Sequence, residues 1–146
     1  VWRTTEPGTA PPRSRLEAIR RLSEAGIDVG VGMAPILPGL SDRPEQLREV
    51  VLAAREAGAR SIWASVLHLR PGTREHFLEA LAADWPDEVE RYEQLYAGRA
   101  YLPAEVTRPV VEHVRTTAAN APIHHRPRLS RQQAPRPRGE QLALAV

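Results

Sequence analysis

The chain has 146 residues, a length that holds one domain of ordinary size. Its residues are 26% charged and 42% hydrophobic, which places it among globular chains, and no run of 18 apolar residues offers a membrane span. Cysteine is absent, which excludes disulfides, zinc–thiolate sites and iron–sulfur ligation from this chain alone.

All 20 basic residues are arginine, a bias that fits a GC-rich genome. Residues 1–114 carry 14 Arg and 17 acids, a net charge of −3, while residues 115–146 carry six Arg and one acid, Glu140, a net charge of +5. The chain opens Val1-Trp2-Arg3-Thr4-Thr5-Glu6, which has neither an initiator Met nor the charged-then-apolar order of a secretory leader. We therefore expect a cytoplasmic protein and a fragment whose upstream half lies elsewhere.

In chain order, Pro11-Pro12 precede a helical pattern with Leu16, Ile19 and Leu22 on one face and Gly26 just past its end. A strand is expected over 28–34, with Val29, Val31 and Met33 suited to burial on both faces. Pro35 and Pro38 are expected to end it, because neither donates to a sheet ladder. Asp42 then caps a helix over 44–57, with Glu45 completing a capping box. Leu47, Val50, Val51 and Ala54 form its apolar face, and Gly58 closes it. A second strand spans 61–69 and stops at Pro71-Gly72. Thr73 caps a helix to about Asp84 that buries Phe77, Leu78 and Leu81, and Pro86 opens another through Tyr96. Pro103 opens the last, with Val106, Val110, Val111 and Val114 inward and Pro109 bending or dividing it.

Strands that alternate with helices at this spacing predict βαβ units and a parallel sheet, hence an α/β fold. Two strands and a stub at Trp2–Thr5 are too few for a complete sheet, so the chain reads as the second part of a larger α/β domain. We place that part over 1–115 and a flexible Arg/Pro-rich tail over 116–146, whose composition over about 120–139 cannot offset its ordering entropy.

The segment DVGVGMAPILPGLSD, residues 28–42, is a strand, loop and helix start, and parallel α/β proteins place ligands at such carboxyl ends. Together with WRTTEPGTAPPRSRLEAIRRL, EAGA and LHLRPGTREHF, it resembles the C-terminal half of a radical S-adenosylmethionine protein of the actinobacterial branch related to spore photoproduct lyase. The resemblance covers roughly 1–115. It implies a partial TIM barrel of which this chain supplies the end of the fourth strand, the fifth and sixth βα units and C-terminal helices. It also implies two cofactors, S-adenosylmethionine and a 4Fe-4S cluster held by a Cys-x-x-x-Cys-x-x-Cys motif. That motif is not in this chain, so its partner would be the missing N-terminal half of the barrel, and the chain alone would be inactive. Likeness to a DNA-lesion lyase makes nucleic acid a candidate substrate; no membrane partner is expected.

Residue by residue, Pro35-x-Leu37-x-Gly39-x-x-Asp42 resembles the family's fifth-strand motif Gly-x-Ile-x-Gly-x-x-Glu, with Pro35 replacing the first Gly. The resemblance sets Ile36 and Leu37 against adenine and Gly39 in the cofactor-binding loop; the residues alone read equally as a strand–turn–helix connection. Thr4, Thr5 and Glu6 fall where polar side chains bond the ribose and methionine of the cofactor, or where a strand end meets water. Arg70 follows the second strand and suits a carboxylate or phosphate, against a plain solvated arginine. His68, between Leu67 and Leu69, fits a half-buried structural position. His124-His125 is no metal site by itself. Trp63, Trp85, Tyr92, Tyr96 and Tyr101 read as packing residues, and Arg126, Arg128, Arg131, Arg136 and Arg138 as a solubilising tail in preference to a phosphate-binding one. The alternatives to a radical enzyme are a non-radical α/β-barrel fragment that binds phosphate at Gly39 and Ser41-Asp42, and a non-catalytic half-barrel binding module.

Overall fold

A computed structural model describes residues 8–122. Thr4, Thr5, Glu6, His124, His125 and the arginines of the tail therefore lie outside the described residues. The elements are α1 (Pro12–Glu24), β1 (Gly30–Ile36), α2 (Pro44–Glu56), β2 (Ser61–Val66), α3 (Thr73–Asp84), a 3-10 turn (Pro86–Glu88), α4 (Val89–Leu95) and α5 (Ala104–Asn120). The two strands pair in parallel, with Gly30 opposite Ser61 and Met33 opposite Ala64, so the fold is α/β as expected. The partial barrel is not shown by these two strands. Among the described residues no helix is long and apolar enough to cross a membrane.

β1 does not stop before Pro35. Met33 pairs with Ala64 and Ile36 with Val66, which leaves Ala34 and Pro35 opposite Ser65 alone. Two residues facing one is a β-bulge, a place where a strand tolerates a proline that cannot donate. The bulge also resets the alternation of side chains. Met33 and Ile36 are three apart, yet both enter one core with Leu47 and Val51 of α2, Ile62 and Ala64 of β2, and Val114 and Ala118 of α5.

The expectation of a sheet buried on both faces is corrected: α2 and α5 share the first core on one face. On the other face Gly30, Gly32, Ala34, Ser61 and Trp63 are exposed. Trp63 is 57% exposed, and its indole lies so close to Gly32 that a Cβ there would fall 2.4 Å from the ring. A side chain of any size at position 32 would displace the ring.

A second core forms beyond the ends of the strands. Leu37, Leu67 and Leu69 meet Leu81 of α3, Tyr92 of α4, Tyr96 and Leu102, with Phe77, Leu78 and Trp85 packed around them. β2 thus ends at Val66, three residues short of expectation, because Leu67 and Leu69 turn into this core. Val50 and Val106, expected inward, are exposed, as is Leu22 of α1. Pro109 is accommodated within α5 and does not divide it. α5 also runs past the expected boundary at 115 to Asn120, with Ala118 and Ala121 buried.

The reason for that extension is Arg55, the buried charged residue of the described chain at 8% exposure. Its Nη1 donates to the carbonyls of Ala59 (3.0 Å) and Arg60 (2.6 Å), and its Nη2 to the carbonyl of Ala118 (2.8 Å). Its Nε is buried without a partner among the described residues. Carbonyls at the carboxyl end of a helix carry partial negative charge and suit a cation. We expect Arg55→Ala to lower the unfolding free energy by about 3 kcal/mol, since it removes charged hydrogen bonds and strands buried carbonyls. Arg55→Lys, with its single ammonium, should recover part of the loss, and Arg48→Ala on the exposed side of α2 should change it by less than about 0.5 kcal/mol. Denaturant midpoints of the three variants check this.

Candidate functional site

The loop after β1 is built by hydrogen bonds to itself. The carbonyl of Leu37 accepts from the N–H of Leu40 (3.1 Å) and of Ser41 (2.9 Å). Pro38 and Gly39 form the corner, and Gly39 has φ +82°, which fits the turn type with proline first and glycine second. The N–H of Leu37 donates to Ser41 Oγ (2.8 Å), and the N–H of Gly39 to Asp42 Oδ1 (2.9 Å). Asp42 is therefore not the cap of α2. Arg43 occupies that position with no side-chain cap bond, and Pro44 begins the helix. The carboxylate is spent on the turn, three residues back.

This wiring decides what the loop can offer. The N–H groups of Leu37, Gly39, Leu40 and Ser41 are all consumed, so the turn from Leu37 to Ser41 has none left to cradle a phosphate. The carbonyls of Ile36, Leu37 and Pro38 are engaged as well, by the N–H of Leu67, by the turn itself and by the Tyr92 hydroxyl, and the Arg91 side chain lies against Gly39. Ile36 and Leu37 are buried, one in each core, so their side chains are committed to packing. Any contact they make with a ligand is through backbone.

α4 holds this end of the molecule. Tyr92 donates its hydroxyl to the Pro38 carbonyl (2.9 Å), and Tyr96 donates to the Leu67 carbonyl (2.6 Å). The two rings stack at 6.1 Å, and Phe77 lies 5.4 Å from Tyr92. Burial raises the pKa of both phenols, that of Tyr96 to about 12. The Arg91–Glu88 ion pair (3.5 Å) sits over the turn, where a Cβ on Gly39 would fall 2.2 Å from Arg91 Nη1.

A second group gathers at the end of β2. With Leu67 and Leu69 turned inward, His68 and Arg70 are turned out to solvent, so His68 is not the half-buried residue expected. The N–H of Leu69 donates to the Ala100 carbonyl (2.8 Å), which brings Tyr101 alongside. Arg70 Nη2 donates to the Tyr101 hydroxyl (2.8 Å), and His68 stacks on the Tyr101 ring at 5.1 Å. Tyr101 is 57% exposed, so it and Trp63 are corrections to the expectation of five packing aromatics; Tyr92 and Tyr96 are core, and Trp85 is half-buried. The contacts of Arg70 run to Tyr101, not to the loop of Gly39. The structure keeps Ile36, Leu37 and Gly39 together and sets Arg70 in a separate cluster. α3, expected to be capped by Thr73, is instead preceded by Gly72, whose N–H donates to Glu75 Oε2 (2.5 Å).

Comparison with known proteins gives a partial answer about kinship. The chain is 36% identical over 144 residues to an uncharacterized protein of Mycobacterium tuberculosis (strain ATCC 25618 / H37Rv), a match that covers 99% of this chain and 41% of that protein. An uncharacterized protein of Mycobacterium bovis matches to the same extent. The chain thus spans about two fifths of the length of these curated relatives. Over 59 residues it is 39% identical to a biotin synthase of Desulforudis audaxviator, which covers 40% of this chain and 17% of that enzyme. No family model matches the chain, and no solved structure matches it.

Two outcomes test the site. Gly39→Val should lower stability by about 1–3 kcal/mol, because Arg91 can swing away but a positive φ strains a branched residue. Thermal or denaturant unfolding checks it. The second concerns alkali. The chain has three tyrosines and neither lysine nor cysteine, so tyrosine dominates its side-chain titration between about pH 9 and 12. With folded pKa values raised, the unfolded chain loses its phenolic protons first. The stability held by Tyr92 and Tyr96 is therefore complete below about pH 10 and is lost as pH rises toward 12. Denaturant midpoints at rising pH should fall steeply over that window, and the double variant Tyr92→Phe, Tyr96→Phe should flatten the fall.

Proposed function

We propose that this chain is part of a radical S-adenosylmethionine enzyme and supplies a stretch of its barrel wall beside the cofactor. The observation that carries the reading is the uncovered face of the parallel sheet. Gly30, Gly32, Ala34 and Ser61 leave that face low and open around Trp63, while the opposite face is packed by helices. A parallel strand pair covered by helices on one face only leaves the other face for further elements to cover, as in one sector of a barrel. The similarity to a biotin synthase, a radical S-adenosylmethionine enzyme, supports the same class of chemistry. On this reading β1 and β2 are the fifth and sixth strands of a partial TIM barrel, and the parent enzyme is related to spore photoproduct lyase, with nucleic acid as its substrate.

The chain's residues fit the two cofactors differently. The turn at Gly39 sits at the carboxyl end of β1, where adenine would lie against backbone once the Arg91 side chain moved off Gly39; its Ile36, Leu37 and Pro38 carbonyls are already bonded within the protein. Ile36, Leu37 and Gly39 would line that ring through backbone, with Thr4, Thr5 and Glu6 on the ribose and methionine and Arg70 at the same end of the sheet for an anionic group. The cluster does not fit: there is no cysteine, and among the described residues no group of three or more His, Asp or Glu could hold a metal. Its ligands would come from a segment outside this chain.

Anaerobic reconstitution with iron and sulfide tests the proposal. The chain alone should gain no iron–sulfur absorbance and release no 5′-deoxyadenosine from S-adenosylmethionine with a strong reductant. Fused to an upstream segment that carries a Cys-x-x-x-Cys-x-x-Cys motif, it should do both. Deoxyadenosine from residues 1–146 alone would refute the division of roles, and its absence from the fusion would refute the radical chemistry.

A further inference from the structure

We infer that His68, Arg70 and Tyr101 form a subsite for the phosphate of a phosphomonoester at the carboxyl end of β2, separate from the turn after β1. The inference stands on how the arginines of this chain are used. Arg20, Arg21, Arg60, Arg91 and Arg115 pair with carboxylates. Arg55 and Arg74 are spent on backbone carbonyls, Arg74 on that of Tyr96 at 2.7 Å. Arg70 does neither. Its partner is a phenol, and no carboxylate pairs with it among the described residues.

A hydroxyl partner holds a guanidinium in place without neutralising it. One N–H of Arg70 is fixed on Tyr101 and the charge stays available, with the remaining donors facing solvent. The same ring stacks His68 with an interplanar angle of 14°, so one tyrosine orients both side chains. His68 and Arg70 both contact Tyr101 and so lie on the same side of the chain that leaves β2. Arg74, whose N–H donates to the Arg70 carbonyl, and Arg99, two residues before Tyr101, add positive charge nearby. Glu75, the acid next along the chain after Arg70, is engaged with the N–H of Gly72.

The choice of phosphate over carboxylate follows from the donor set. A carboxylate is planar and is satisfied by the guanidinium fork alone. A phosphomonoester has a third terminal oxygen and about two charges, which an imidazole N–H beside the fork can meet. The phosphate can belong to a small phosphorylated metabolite or to the 5′ end of a nucleic acid; the chemistry at the subsite is the same.

The test uses the full chain and needs neither S-adenosylmethionine nor iron, so its failure is distinct from failure of the radical reading. Inorganic phosphate, titrated at constant ionic strength, should shift the His68 ring resonances saturably. Arg70→Gln should weaken that response about tenfold, and Tyr101→Phe, which keeps the stacked ring and removes only the hydroxyl, about threefold. Arg48→Gln, an equal loss of charge on the exposed side of α2, should leave it unchanged. Ribose 5-phosphate and an oligonucleotide with and without its 5′ phosphate separate the sources. Tighter binding of the sugar phosphate points to a metabolite, and tighter binding of the phosphorylated oligonucleotide to a nucleic-acid end. An equal response to acetate, an Arg70→Gln protein that titrates like the parent, or an oligonucleotide that binds regardless of its 5′ phosphate would overturn the subsite.

Discussion

The paired hydroxyl bonds of Tyr92 in α4 and Tyr96 just past its end are the constraint on which the carboxyl end of the sheet depends. Tyr92 holds the carbonyl of Pro38 and Tyr96 holds that of Leu67, one helical turn apart. Each bond reaches the chain just past the end of a different strand. The N–H of Leu67 in turn donates to the Ile36 carbonyl at 2.9 Å, so both strand ends and the helix close one circuit. Buried hydroxyls must be satisfied, and here the satisfaction fixes geometry. The turn at Gly39 cannot move without releasing Tyr92, and the exit of β2 cannot move without releasing Tyr96.

The bulge at Ala34 and Pro35 plays the corresponding part within the sheet. By shifting the phase of the side chains it lets Ile36 stay in the first core while Leu37 enters the second. One strand thereby feeds two cores, and the turn lies where they meet. The two candidate clusters sit at the same end of the sheet but are wired apart, the Gly39 turn to α4 and the Arg70 group to the segment around Tyr101. In parallel α/β architecture that end is where loops are free to carry chemistry while the helices and the other end secure the fold.

Much of the fold was legible from periodicity and punctuation. The order of helices and strands, the parallel pairing and the closing glycines at 26 and 58 all follow from local pattern, and the structure agrees. Errors arose where tertiary partners outrank local rules. Pro35 looks like a strand stop until a bulge is available to take it. Asp42 looks like a cap until the turn before it needs an acceptor. His68 looks half-buried until Leu67 and Leu69 find a core beyond the sheet. The Tyr92 and Tyr96 bonds span 54 and 29 residues to backbone carbonyls, and Arg55 reaches 63 residues to Ala118. A carbonyl is the same at every position, so no side-chain pattern announces such partners. Arg70 likewise finds its partner, the phenol of Tyr101, 31 residues on, a contact that local pattern does not announce.

The burial of Arg55 gives the protein a reporter of its own opening. With every basic residue an arginine, trypsin has no lysine sites here, and its map is a map of guanidinium accessibility. Arg99 lies in the exposed connection between α4 and α5, within reach of a protease acting on the intact fold. Arg55 is 8% exposed in the last turn of α2, with its head group locked on the end of α5. Cleavage after it requires that the two helices part, so its rate follows the separation of the first core and not the fraying of a loop.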